Sequence, residues 1–443
     1  MARTVGKCPC APQETAPRAG YEKREYTVQV VTPMFGGGVE PGKQDPVTLV
    51  RVPSIRGHLR FWWRATRGAA CATVDELKRR ETDIWGDTEN PSPITVESAV
   101  LKHGGQKPCA HLPPGKNFPK FEDNHPGYAL FPFQGNAREN KPIGTGVYGL
   151  EFQLRCVYPK SLADDLNAAL CAWFNFGGLG ARTRRGCGAL YCSDFAPPTG
   201  TLQDIEKWLK PRLAGQPTCG QQREWPTFAA RLLIAQSGKD SLQCWDAVVT
   251  LLQRFRQGEE IGRNKGTEPY RPGRSRWPEP ETIRKITERR LPRHGLVAGM
   301  PDGAFPRGEF GLPIVFHFKD GPSKSRQYSP SQLASLDPDQ TELYPVVNGD
   351  EKTRMASPVI IKPLMINRDA AIPMILLLTA PVLNEVVLKK TADPAPRFRC
   401  RPDPRLASYP NSPMHNRSSR GNAIEAFLAF AQEKEQGFKE VAL

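Results

Sequence analysis

Apolar and polar residues alternate in Glu25-Tyr26-Thr27-Val28-Gln29-Val30-Val31, a pattern that predicts a strand with one buried face. Helical spacing begins at Ser54, and β-like runs return at 94–101, 128–133 and 148–157. A helical stretch at 161–176 then leads into a glycine-rich loop. This order, strand and helix, strands, then helix and strand, predicts an α+β fold of the split βαβ, ferredoxin-like type. A second round starts beyond a segment rich in Pro and Gly at 197–222. It has strand patterns at 228–236, 312–318, 357–365 and 373–381, and helices at 241–256 and 422–435. In the first of these helices Leu242, Trp245, Val249 and Leu252 recur three or four apart, which assigns them to a core. Loop-like stretches at 104–127, 320–349 and 392–421 read as insertions between elements.

The expected organisation is a disordered segment at 1–20, a first domain at 21–200, a linker at 201–222 and a second domain at 223–443. The second domain carries a basic insertion at 258–293. The longest apolar stretch, 372–383, contains Pro373 and Pro381 and is too short to span a bilayer, so no membrane partner is expected. Eleven cysteines at irregular spacing, with no leader-like start, predict a reduced, cytoplasmic protein.

Charge adds a partner to this picture. Lys and Arg number 61 against 46 Asp and Glu, a formal net charge of +15, and the excess is clustered, which favours a polyanion. The loop 177–188 packs five glycines and three arginines into twelve residues without an acid. Gly178 and Gly180 would let the main chain approach a phosphate, and Arg182, Arg184 and Arg185 would fork onto its oxygens. A glycine-rich helix cap accounts for the glycines and leaves the arginines unexplained.

In the helix entered at Ser54, the expected N-cap, Arg56, Arg60, Arg64 and Arg67 fall within a sector of about 80°. Ile55, Leu59, Trp62 and Thr66 fill the adjoining sector, so one stripe packs and the other faces outward. Four arginines so close repel one another unless an anion lies along them, and a phosphate backbone is one such anion. In the third cluster Lys265, Arg274, Arg276 and Trp277 alternate with Gly and Pro. They could offer phosphate forks and a stacking ring to an unpaired base, or form a basic linker.

These residues together resemble a known family. The run Val31-Thr32-Pro33-Met34-Phe35-Gly36-Gly37-Gly38, the helix from Pro53 to Arg64 and the loop 177–188 are similar to motifs of the RAMP superfamily. More narrowly, with 273–280 and 354–363, they resemble RAMP module one of the type III-B CRISPR effector, the Cmr complex. The resemblance implies two tandem ferredoxin-like, RRM-like RAMP domains with long loop insertions. It also implies a subunit that carries the 3′ side of a CRISPR RNA or captures single-stranded target RNA. Its protein partners would be other RAMP subunits and the large subunit of the complex, with cleavage performed elsewhere.

Some RAMP relatives cleave RNA through a histidine without metal, which brings His58 into view. On the helical wheel it points well over 90° from the arginine stripe, against a catalytic role. No carboxylate set supports two-metal chemistry, and no nucleotide loop ends in Gly-Lys-Ser/Thr. Cys8, Cys10, His103, Cys109, His111 and His125 are scattered zinc-type ligands without paired spacing, so neither metal nor cofactor is expected. The expectation is a non-catalytic RNA-binding subunit. The alternatives are a nuclease using His58 and a protein scaffold with little RNA contact.

Overall fold

The computed structural model describes residues 18–38, 43–45, 47–116, 118–123, 125–212, 223–236, 238–268, 272–292, 294, 299–322, 329–391, 394–400 and 402–442. The segment expected to be disordered therefore lies almost wholly outside the described residues, as do Cys8 and Cys10.

The alternating run becomes β1 (Tyr21–Val30), with Tyr26, Val28 and Val30 turned inward. It is followed by α1 (Val52–Ala65), α2 (Val74–Trp85), β2 (Thr95–Lys102), β3 (Glu151–Pro159), α3 (Ala163–Phe176) and β4 (Leu190–Tyr191). The strands pair antiparallel in the order β2-β3-β1-β4, the ferredoxin-like arrangement. Strict alternation in β3 buries Phe152, Leu154, Cys156 and Tyr158 against the helices. Helix α1 starts at Val52 rather than at a Ser54 cap. Pro53 sits in its first turn, where a missing N–H costs nothing, and Arg51 occupies the cap position.

The same plan repeats downstream. After α4 (Leu202–Arg212) come β5 (Thr227–Ala235), α5 (Ser241–Gln257) and α6 (Glu279–Thr287). Next are β6 (Ile314–Phe316), β7 (Thr341–Val347), β8 (Val359–Met365), β9 (Ala371–Thr379), β10 (Glu385–Lys389), β11 (Arg397–Arg399), α7 (Ala423–Gln432) and β12 (Phe438–Val441). The second sheet has the order β8-β9-β5-β12, again antiparallel and again ferredoxin-like. Asp240 caps α5 by accepting from the N–H groups of Leu242 and Gln243, both at 2.9 Å. Trp245, Val249 and Leu252 are buried as expected, with Leu242 packed at the edge of the same cluster.

This second sheet is covered on both faces. Val359, Ile361 and Ile375 pack with Trp245, Val249 and Phe427 of the unit's own helices. Ile360, Leu364, Ile372, Met374 and Leu376 join the cluster built on Trp62, Trp173 and Phe176 of the first unit. Two-sided burial is why 372–378 is a continuous apolar run rather than an alternating one.

Four expectations are corrected. Residues 128–133 are helical turns, Gly127–Leu130 and Phe131–Phe133, because Pro126 and Pro132 offer no ladder donor and the N–H groups of Ala129 and Leu130 return to the Pro126 carbonyl. Only Ile314–Phe316 of the run 312–318 is strand, and it joins a third sheet, β6-β7-β10-β11, assembled from two insertions. The stretches read as loops contain β7, β11 and the strand Gly105–Pro108, and Leu343 of β7 is buried in a cluster with Ile283, Phe305, Val386 and Leu388. Part of the expected linker is α4, held by Ile205, Trp208 and Leu209 in the shared core; residues 213–222 are not described.

Candidate nucleic-acid interface

The glycine-arginine loop lies at the seam between the two units. Its backbone is stitched to protein: Ala181 N–H donates to the Phe35 carbonyl at 2.6 Å and Gly188 N–H to that of Pro33 at 3.0 Å. Across the seam, Trp245 Nε1 donates to the Arg185 carbonyl at 2.7 Å, and Lys362 Nζ to that of Gly177 at 2.7 Å. The structure corrects the reading of Gly178 and Gly180. A Cβ at Gly178 would stand 2.7 Å from the Gly188 carbonyl oxygen, and one at Gly180, where φ is +79°, 2.5 Å from that of Phe35. These glycines let one stretch of protein backbone approach another.

Lys362 is fully buried, and burial pushes its ammonium down to about 7. In the unfolded chain it keeps its proton to about 10.5, so between about pH 7 and 10.5 the unfolded state binds more protons and stability rises with pH. Lys362→Met is expected to be more stable than the parent by about 1–3 kcal/mol at pH 6, net of the bond lost to Gly177, and to lose that rise. Thermal melts at intervals from pH 6 to 9.5 check it; a parent chain with a flat profile in this window contradicts it.

The arginines of α1 meet an internal partner. Arg56 donates to the carbonyls of Trp85 and Ile94 at 2.7 and 3.1 Å, while Arg60 and Arg64 both reach Glu81 Oε1 of α2 at 2.6 Å. Arg67 lies 3.5 Å from Asp164. The stripe therefore lies against α2 rather than facing open solvent, and the anion along it is the protein's own largely buried Glu81.

The third cluster is corrected in the same way. Trp277 has no exposure, its Nε1 bonded to the Arg256 carbonyl at 2.9 Å and its ring packed against Phe255, so it cannot stack on a base. Arg274 pairs with Glu281, and Arg276 donates to the carbonyls of Asn411 and Pro410. Lys265 is exposed beside Glu260 at 2.7 Å.

The arginines of the loop stand differently. Arg182, Arg184 and Arg185 line a cleft of about 910 Å³ together with Arg256, from the last turn of α5. Arg184 donates to the Ser357 carbonyl and lies 5.4 Å from the Phe61 ring. Arg185 donates to the Val359 and Phe310 carbonyls at 2.8 and 3.3 Å. Carbonyls orient a guanidinium without neutralising it. Burial first, then crowding by Arg256, Arg182 and Arg184, pushes the Arg185 guanidinium down to about 10, still charged at neutral pH. Arg182 is exposed, and among the described residues neither it nor Arg256 has a carboxylate partner. The remaining wall includes Phe121, Tyr128, Phe131, Phe310 and His317, and among the described residues no Asp or Glu lines it. Four arginines without a carboxylate partner among the described residues, set beside aromatic walls, offer guanidinium donors and ring faces in one cleft.

Sequence reasoning missed Arg256, Tyr128 and Phe131. The basic last turn of α5 was a signal for the first, and the Phe-Pro-Phe run, misread as strand, for the last. The zinc-type ligands do not converge: Cys109 is buried against the Phe133 carbonyl, His111 pairs with Glu122, and His125 bonds Tyr148. Among the described residues one group, His294, Asp320 and Asp337, brings ligand atoms together, but Arg284 forks onto Asp337 there and opposes a cation. His58 stacks on Trp173 at 6.2 Å, burial lowers its pKa, and it does not line the cleft.

Two ferredoxin-like units meet at a glycine-arginine loop, and residues 27–191 match the family model of the RAMP superfamily. The chain is 29% identical over 146 residues to CRISPR system Cmr subunit Cmr1-1 of Pyrococcus furiosus, covering 32% of this chain and 40% of that protein. It is 25% identical over 177 residues to Cmr1-2 of the same organism, covering 37% of this chain and 92% of that one. The chain thus matches less than half the length of the first relative. Among solved structures, Cmr1 from Pyrococcus furiosus in its apo form aligns over 82% of this chain and 89% of its own, with 16% identity and a TM-score of 0.46. A chain of the type III-B Cmr-beta complex bound to cognate target RNA aligns over 80% and 94%, with 11% identity and a TM-score of 0.42. Among the described residues no helix is long and apolar enough to cross a membrane.

Proposed function

We propose that this chain is a non-catalytic RNA-binding subunit of a type III-B CRISPR ribonucleoprotein effector. It holds single-stranded RNA, the 3′ side of a CRISPR RNA or a captured target, across the seam between its two units. The observation that carries this reading is the cleft on which Arg182, Arg184, Arg185 and Arg256 converge without a carboxylate. The match of residues 27–191 to the RAMP superfamily model and relatives named as Cmr subunits support placement beside other RAMP subunits and the large subunit of such a complex. Among the described residues the cleft has no carboxylate to hold a divalent cation, and His58 lies outside it, which favours holding over cleaving.

The test is a titration of the purified chain with labelled CRISPR RNA and single-stranded target RNA in EDTA, following affinity against salt together with strand integrity. Intact RNA bound with an affinity that falls steeply with salt is the expected result. Salt-insensitive association would overturn the phosphate grip, and cleavage in EDTA would overturn the non-catalytic assignment.

A further inference from the structure

Phe131 is 70% exposed, an aromatic ring held out into solvent on an otherwise well-anchored turn. On either side of it Ala129, Leu130 and Phe133 are buried, and the Phe133 ring stacks on Phe35 at 4.7 Å and 14°. Pro132 follows directly, and the Phe133 carbonyl accepts from Gly144 N–H at 2.7 Å. The ring is thus presented by a short, braced helix, so fixing it against a ligand costs little conformational entropy. Among the described residues no other ring packs on it. It shares the cleft with Tyr128, whose ring lies 5.9 Å from the Arg256 guanidinium, and with the three loop arginines.

This juxtaposition asks for one ligand with a flat apolar face and negative charge on either side of it. A nucleotide within a strand has both. A base inside a duplex has its faces occupied by neighbouring pairs, so a protruding ring can reach only an unpaired one. An acidic peptide would satisfy the arginines and leave Phe131 without a matching surface. Resting on the RNA-binding reading above, we propose that Phe131, with Tyr128 beside it, is a stacking platform for an unpaired base of single-stranded RNA, whose flanking phosphates lie on Arg182 and Arg256. The chain would then select single strands over duplexes at this point, whatever their sequence, because every base has a π face.

The experiment is fluorescence anisotropy with the full chain and three probes of equal length: an oligouridylate, the same backbone with abasic positions, and a blunt RNA duplex. The parent chain should bind the oligouridylate about tenfold or more tightly than either other probe. Phe131→Ala should lose most of that preference, with an unchanged salt slope and an unchanged melting temperature, since the ring is exposed. Phe131→Trp should restore the preference. If Phe131→Ala binds the oligouridylate like the parent, or loses affinity equally for the abasic strand, the platform is refuted while the phosphate grip stands. Displacement of the RNA by oligoglutamate at equal charge would show that the cleft reads charge alone and would also refute it. No salt-dependent binding of any probe by the parent would remove both readings together.

Discussion

Replacing Arg182 and Arg256 together by glutamine is expected to weaken binding of single-stranded RNA roughly tenfold per arginine, since a charge-assisted phosphate contact contributes about 1.5–3 kcal/mol and exposure reduces that. The slope of log affinity against log salt should fall by about 0.7 for each phosphate contact removed. These two arginines are the informative pair because, among the described residues, neither makes an ion pair, so their loss leaves the fold intact. Arg60→Gln and Arg64→Gln should behave in the opposite way. Both side chains neutralise Glu81 at 2.6 Å, so removing them costs stability and leaves the salt slope where it was. Titrations of the two double variants against one labelled RNA decide the matter. A slope that moves with Arg60 and Arg64 and not with Arg182 and Arg256 would return the site to the first helix.

The second large effect concerns the network around Asp337, which is 2% exposed. Arg284 forks onto it at 3.0 and 2.8 Å, His294 Nδ1 lies 2.9 Å away, and Leu291 N–H donates to it at 3.3 Å. Arg284 is itself buried and turns its remaining nitrogen to Glu281 at 2.7 Å. Asp337→Ala leaves a buried guanidinium short of one carboxylate and should cost about 3–5 kcal/mol, read as a lower denaturant midpoint. Burial alone would raise the Asp337 carboxyl, but Arg284 and His294 hold it at about 2 against an ordinary 3.8. Its contribution is complete above pH 3.8 or so and is lost as pH falls towards 2, so the variant should show a flatter acid limb than the parent. An unchanged midpoint would mean that the network contributes no net stability.

The ferredoxin-like order was legible in the first unit because β1 and β3 each bury one face and so alternate in sequence. It was legible in the second despite two-sided burial, because 359–365 and 371–379 are short apolar runs flanked by polar turns. The third sheet was hidden: its strands come from insertions before β8 and after β9, and neither buries its apolar residues without the other. At the site, the sequence showed where arginines gather but not which of them are already neutralised. Glu81 sits 17 residues beyond Arg64, on a separate helix, and Glu281 takes Arg274 out of play in the same way. Trp277 looked exposed because Pro and Gly surround it, whereas Phe255 and the Arg256 carbonyl enclose it. Phe131, read as strand interior, is the ring that the fold leaves outside.

The covering of the second sheet by the first unit's helices has a consequence for how such a chain can be divided. A half containing 227–441 would expose Ile360, Leu364, Ile372 and Met374 as a flat apolar face, and a half ending near 191 would expose Trp62 and Phe176. The cleft is likewise owned jointly, with Arg182, Arg184, Arg185 and Phe131 from one side and Arg256, Phe310 and His317 from the other. The duplicated fold is therefore one cooperative unit. A truncation or domain exchange at the midpoint would dismantle the arginine cleft and create a surface prone to aggregation.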